Sequence, residues 1–72
     1  MNLSFALPRE AFVHVGVVDL QGREVLTLAH GVHPAGRHAL AADERTALAP
    51  GLYFVRMTTG GRTLTSRFVV AY

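Results

Sequence analysis

The strongest constraint on this chain is its punctuation. Short runs of alternating apolar and polar residues are broken by glycine, proline or aspartate before any of them reaches the length of a stable helix. In "TTGGRT", Gly60 and Gly61 stand between two β-branched and aromatic runs, the signature of a two-residue type I′ or II′ hairpin. In "DLQGRE", Asp19 can cap a turn with its side chain. Gly22 can take the positive φ of a type I turn with a G1 bulge. A chain so interrupted builds sheets.

Counting outward from Gly60 and Gly61 sets Met57 against Leu64, Val55 against Ser66 and Tyr53 against Phe68 on a mostly apolar face. Thr58 and Thr63, Arg56 and Thr65, and Phe54 and Arg67 then pair on a mostly polar one. Upstream, Leu3, Phe5 and Leu7 alternate up to Pro8, which removes a ladder donor and ends a first strand. Val13, Val15 and Val17 share one face of a second strand, with His14 and Gly16 on the other. The Asp19 turn places Val17 opposite Val25 in a third strand from about Arg23 to Ala29. Leu26 and Leu28 fall out of phase there, so a bend or irregular pairing is expected. Gly31, Pro34 and Gly36 read as a connection into a strand with His38, Leu40 and Ala42 on one face, and "DERTALAP" reads as a polar loop.

Strands at about 8 to 12 residue spacing, with no room for a helix, predict an all-β antiparallel sandwich of about six or seven strands in two sheets. The 72 residues fit one domain, 1–72, because a chain this short buries only roughly 60% of its unfolded surface and cannot support two cores. Half the residues are hydrophobic, which is too apolar for a disordered segment, and no cysteine is present to staple the core. Burial and strand pairing must hold the fold.

Seven arginines and no lysine face five acids, but Arg9, Arg23, Arg37, Arg45, Arg56, Arg62 and Arg67 are scattered, which argues for a solvated surface and against nucleic acid as a partner. The start "MNLSFALPRE" lacks a secretion signal's basic lead and apolar core, and no window is long enough for a membrane helix. By this reading the chain reaches the outside of a cell only as part of something larger.

Reactive chemistry has little to work with. His30 and His33 have a spacing that brings two imidazoles to one metal, but neither a cysteine nor a nearby carboxylate completes a set, so solvated histidines are the simpler reading. Ser4 and Ser66 lie in strands without a glycine elbow, and Asp43 and Glu44 are neighbours in one loop that do not face each other across a cleft. Gly60 and Gly61 precede no helix that would make a phosphate cradle. No catalytic residue, metal or cofactor is expected. Phe54 beside Arg67 is either an exposed ring and cation that docks a partner or, more simply, a cross-strand pair that supports its own sheet.

The order of motifs carries more than any one residue. The succession "LSFALP", "VHVGVVDLQGREVLTL", "PAGRHAL", "LAPGLYFVRM" and "RTLTSRFVV" resembles the C-terminal sorting domain of proteins exported by the type IX (Por) secretion system. It is similar also to the immunoglobulin-like domain of flagellar hook-capping proteins. The short "DERTALAPGLY" segment, with Ala42 where the hook-capping type has a tryptophan, favours the sorting domain.

The resemblance implies a non-catalytic, immunoglobulin-like sandwich that sits behind a secreted enzyme or adhesin and is read by the outer-membrane machinery. Its destination is the medium or the cell surface, with peripheral attachment there. The family's motif positions map onto Pro50, Gly51 and Tyr53 and onto Arg67, Phe68 and Val69. One departure stands out: the lysine usual in the last strand is missing, and Ser66 and Arg67 offer one guanidinium in its place. A carbohydrate- or surface-binding accessory module built on Tyr53, Phe54 and Tyr72, or a structural spacer, is the alternative.

Overall fold

The computed structural model describes residues 2–41 and 48–71. Six strands run in chain order: β1 (Asn2–Leu7), β2 (Ala11–Val18), β3 (Glu24–His33), β4 (Gly36–Ala41), β5 (Gly51–Thr59) and β6 (Arg62–Val70). There is no helix among the described residues. β1 and β4 form a two-stranded antiparallel sheet, and β3, β2, β5 and β6, in that order, form a four-stranded one. The two pack face to face as a small sandwich, as expected. Pro8–Glu10 carry the chain from the small sheet to the large one, and Pro34 and Ala35 carry it back.

The core follows from period two. Val13, Val15 and Val17 are 0% exposed on the inner face of β2, a strand with a neighbour on each side. Around them close Leu7 from β1, Leu48 ahead of β5, Val55 from β5 and Val70 from β6. Leu3, Phe5, Leu26, Leu40, Met57 and Phe68 pack at the margin, half-buried. Among the described residues every fully buried side chain is apolar, and the half-buried Thr59 turns its Oγ1 inward without a hydrogen-bond partner.

The turns take the expected chemistry. Gly22 donates its N–H to the Asp19 carbonyl at 3.0 Å and Asp19 donates to Arg23 O at 2.9 Å, a three-residue loop closed by Gly22 at φ 82°. The Asp19 carboxylate accepts from the N–H groups of Gln21 and Arg23 at 2.9 and 3.0 Å. Gly60 and Gly61 have φ values of 55° and 76°, both positive, which makes the β5–β6 turn type I′. Every pair counted outward from it, from Thr58 with Thr63 to Tyr53 with Phe68, stands in that register.

Two expectations about β3 need correction. Val17 lies opposite Leu26, and Val25 is the extra residue of a bulge between the Val17 and Val18 rungs. A second irregularity falls between Val15 and Gly16, where Ala29 and Thr27 are the partners and Leu28 is extra. Each bulge resets the side-chain phase. That is how Leu26, Leu28 and Ala29 all reach the core while Val25 stays exposed. The strand also runs four residues past Ala29, because Ala11, Phe12 and Val13 offer ladder partners to His33, Val32 and Gly31. Gly31 is accommodated as a rung, and the chain leaves the sheet only at Pro34. His38 and Leu40 share the inward face of β4 as expected, while Ala42, Asp43 and Glu44 lie outside the described residues.

Because Val15 loses all its solvent on folding and Val32 very little, Val15→Ala is expected to cost about 2 kcal/mol and Val32→Ala less than about 0.5 kcal/mol. Chemical denaturation of the two variants side by side measures the difference.

Candidate functional site

β5 and β6 bring the motif positions together. Gly51 pairs with Val70, Leu52 with Val69, Tyr53 with Phe68 and Phe54 with Arg67, four consecutive rungs at one end of the ladder. Tyr53 and Phe68 turn inward and stack with centroids 5.9 Å apart and planes 28° from parallel. The Tyr53 hydroxyl donates to the Ala49 carbonyl at 2.7 Å, which ties the Ala49–Gly51 approach to the strand it feeds. Outward on the same rungs stand Arg67 and Val69, the latter 70% exposed, with half-buried Leu52 and Phe54 as partners. Pro50 and Gly51 are exposed at the entry.

Tyr53 is half-buried, with its ring stacked on Phe68 and its hydroxyl tied to the Ala49 carbonyl. Tyr72 lies outside the described residues. The Phe54 and Arg67 pairing holds in register, with both side chains on the outer face of the four-stranded sheet.

The histidines assemble in pairs that chain spacing does not reveal. His30 and His33 separate to opposite faces of β3. On the outer face His14 and His30 meet Nδ1 to Nδ1 at 2.8 Å, and His14 Nε2 donates to Glu24 Oε1 at 2.7 Å. Thr27 donates to the other Glu24 oxygen at 2.9 Å. The direction of the His14–His30 bond follows from the tautomers the two rings adopt. Between the sheets, His33 and His38 meet edge to face at 5.2 Å, and His38 stacks on Phe5 at 5.2 Å. The Nε2 of His38 donates to the Pro34 carbonyl at 2.7 Å.

Gly16 makes the outer relay possible: a Cβ there would overlap the Glu24 carboxylate, which lies across the strand to reach His14. The bulge that moves Val25 out of register is what carries Glu24 to that position. Among the described residues no group of three or more histidine, cysteine or carboxylate side chains is placed to hold a metal ion. Two carboxylates are held below the ordinary range. For Glu24 the main cause is the His14 hydrogen bond, followed by that of Thr27; for Asp19 it is the Arg23 backbone N–H.

Arranged this way, the described residues offer surfaces. The family model described as a secretion system C-terminal sorting domain, the Por secretion tail, matches residues 1–71. The chain belongs to this family. Sorting domains of this family are the C-terminal signals of type IX secretion. They are non-catalytic in themselves, and their presence implies export across the outer membrane to the cell surface or the medium. The described strands agree with the all-β architecture the resemblance implies. Comparison with curated proteins and with solved structures gave no match.

The depressed Glu24 pKa sets a pH dependence. Its folded value lies below the reference of 4.5, so its contribution is present above that pH and is lost as the pH falls through the folded value. Glu24→Gln is expected to flatten the acid limb of a stability–pH curve relative to the parent. Gly16→Ala, which pushes the carboxylate off His14, is expected to do the same. Denaturation midpoints at a series of pH values read both, and Asp19, unchanged in the two variants, supplies the remaining acid sensitivity.

Proposed function

We propose that this domain is the folded address of an exported enzyme or adhesin, and that the outer-membrane type IX machinery reads it at the start of β5 and the end of β6. The convergence of the motif positions supports this most directly: Gly51 and Tyr53 meet Arg67, Phe68 and Val69 within four rungs, and Pro50 immediately precedes them. The two faces of those rungs divide the work. Tyr53 and Phe68 fix the geometry from inside, and the outward Arg67 and Val69, with Pro50 at the rim, form the surface a partner touches.

Arginine is chemically adequate at this position. A guanidinium at 67 presents a planar fork to a carboxylate or a backbone carbonyl, and Arg67 stands directly across the ladder from Phe54. The lysine usual in the family's last strand is replaced, so recognition here depends on a directional donor. Cargo joined ahead of residue 1 is carried along, and the domain remains at the surface through peripheral association.

The test is a reporter with an export signal at its own N-terminus and this domain at its C-terminus, produced in a type IX-competent host. The parent fusion is expected outside the outer membrane. Arg67→Glu and Val69→Glu, both outward and tolerated by the fold, are expected to hold the reporter in the periplasm with thermal stability close to the parent. Periplasmic retention of the parent fusion itself would overturn the reading.

A further inference from the structure

The outer face of β2 and β3 gathers polar groups that the proposed recognition surface does not use. His14 and His30 stand directly across the ladder from one another, and their Nδ1 atoms are 2.8 Å apart. On the far side of the His14 ring, Nε2 donates to Glu24 Oε1 at 2.7 Å, and the other Glu24 oxygen accepts from Thr27 at 2.9 Å. Solvent reaches both rings: His30 is exposed, and the His14 side chain is 31% exposed. His33, which chain spacing pairs with His30, instead meets Phe5 and His38 on the opposite face.

We propose that His14 and His30 form a two-nitrogen site for a late first-row divalent metal ion, copper(II) above all, on the outer face of the β2–β3 ladder. Imidazole nitrogens hold such ions at about 2.0–2.1 Å. Two of them at right angles about one ion therefore stand roughly 2.9 Å apart, close to the 2.8 Å separation of the two Nδ1 atoms. A tetrahedral ion asks for about 3.3 Å and a wider parting of the rings. Copper(II) prefers the tetragonal arrangement and heads the affinity order of these metals, so both geometry and affinity favour it over zinc.

The carboxylate behind His14 makes this more than two neighbouring rings. A metal-ligating histidine almost always gives its other ring N–H to a carboxylate or carbonyl, which fixes the ring and raises its basicity. Glu24 does this for His14, and Thr27 holds Glu24 in turn. With Nε2 committed to the carboxylate, Nδ1 is the nitrogen that His14 presents towards His30. Gly16 keeps the path of that carboxylate clear. Arg56 stands opposite Gly16 on β5, and the Glu24 carboxylate lying over Gly16 offsets its charge. When an ion enters, the hydrogen between the two Nδ1 atoms moves to His30 Nε2 or to water, and the exposed His30 ring turns so that both lone pairs meet at the metal. Water completes the coordination, because the described residues bring no third protein ligand. The ion ties β3, the outermost strand of its sheet, to β2. It leaves the recognition rungs uncovered, since the β5 residue on the His14 rung is Thr58, four positions beyond Phe54.

The test is a titration of the chain, carrying no histidine tag, with copper(II) at neutral pH, followed by calorimetry and electron paramagnetic resonance. One equivalent is expected to bind with the hyperfine signature of two imidazole nitrogens and to raise the thermal midpoint. The spectrum of the parent counts the nitrogens without any substitution, so this reading does not depend on a variant's folding. His30→Gln, at an exposed position, should weaken binding at least tenfold while its metal-free midpoint stays near the parent's. Glu24→Gln should leave both nitrogens on the copper and weaken binding by roughly tenfold, the effect of losing a carboxylate that orients a ligand. A parent that takes up no copper at millimolar concentration, a spectrum without imidazole nitrogens, or a His30→Gln variant that binds as tightly as the parent overturns the proposal. None of these results bears on export, which the reporter fusion tests separately.

Discussion

Burial of one valine stripe is the interaction on which the rest depends. Val13, Val15 and Val17 lie wholly out of water on a strand hydrogen-bonded on both sides, and every other element is placed by how it closes over them. β3 and β5 extend the stripe sideways, and β1 and β4 cap it from above. Three valines fully removed from solvent supply of the order of 5 kcal/mol, which is comparable with the whole stability of a small domain. A polar group beside that stripe finds no partner: the Thr59 Oγ1, across the ladder from Val13, is buried without a hydrogen bond.

So small a core forces compromises at the margins. The small sheet covers only part of the large one, and the uncovered strip falls over β5 and β6. β3 meets the shortage differently, by inserting Val25 and Leu28 as extra residues so that Leu26, Leu28 and Ala29 approach the core together. The bulges have a second effect on the opposite face. They carry Glu24 over Gly16 to His14 and set His30 against His14, giving a polar relay that a regular ladder would not produce. Packing inside and polar contacts outside are thus consequences of the same two register shifts.

That coupling explains what could be read from residue order and what could not. Register in the β5–β6 hairpin was legible because Gly60 and Gly61 define the turn and nothing interrupts the alternation after them. The alternating faces of β1 and β2 were legible for the same reason. In β3 the phase of Leu26 and Leu28 against Val25 signalled an irregularity but did not say where the extra residues would fall, and the Val17 partner was misplaced by one. The histidine pairs depend on that register, so they were invisible to spacing; the signal available was the combination of out-of-phase leucines with a glycine, Gly16, across the strand. The motif positions were legible as a resemblance, and their convergence on four rungs required knowing that β5 and β6 pair from end to end.

Period two also separates the address from the scaffold that carries it. Along β5 and β6 each residue belongs to one face, so Tyr53, Val55, Phe68 and Val70 serve the sandwich while Phe54, Arg67 and Val69 lie on the outer face, where the proposed recognition would read them. A change at Val69 removes almost no buried area, whereas a change at Val70 opens the core. The outward positions can therefore be altered with little loss of stability, which is what the proposed recognition surface requires. Binding at a flexible tail would have to spend part of its free energy on ordering the chain, whereas here burial of the inward residues has already met that cost. A folded signal presents a few side chains at fixed spacing, and the inward valines and stacked rings are what fix it.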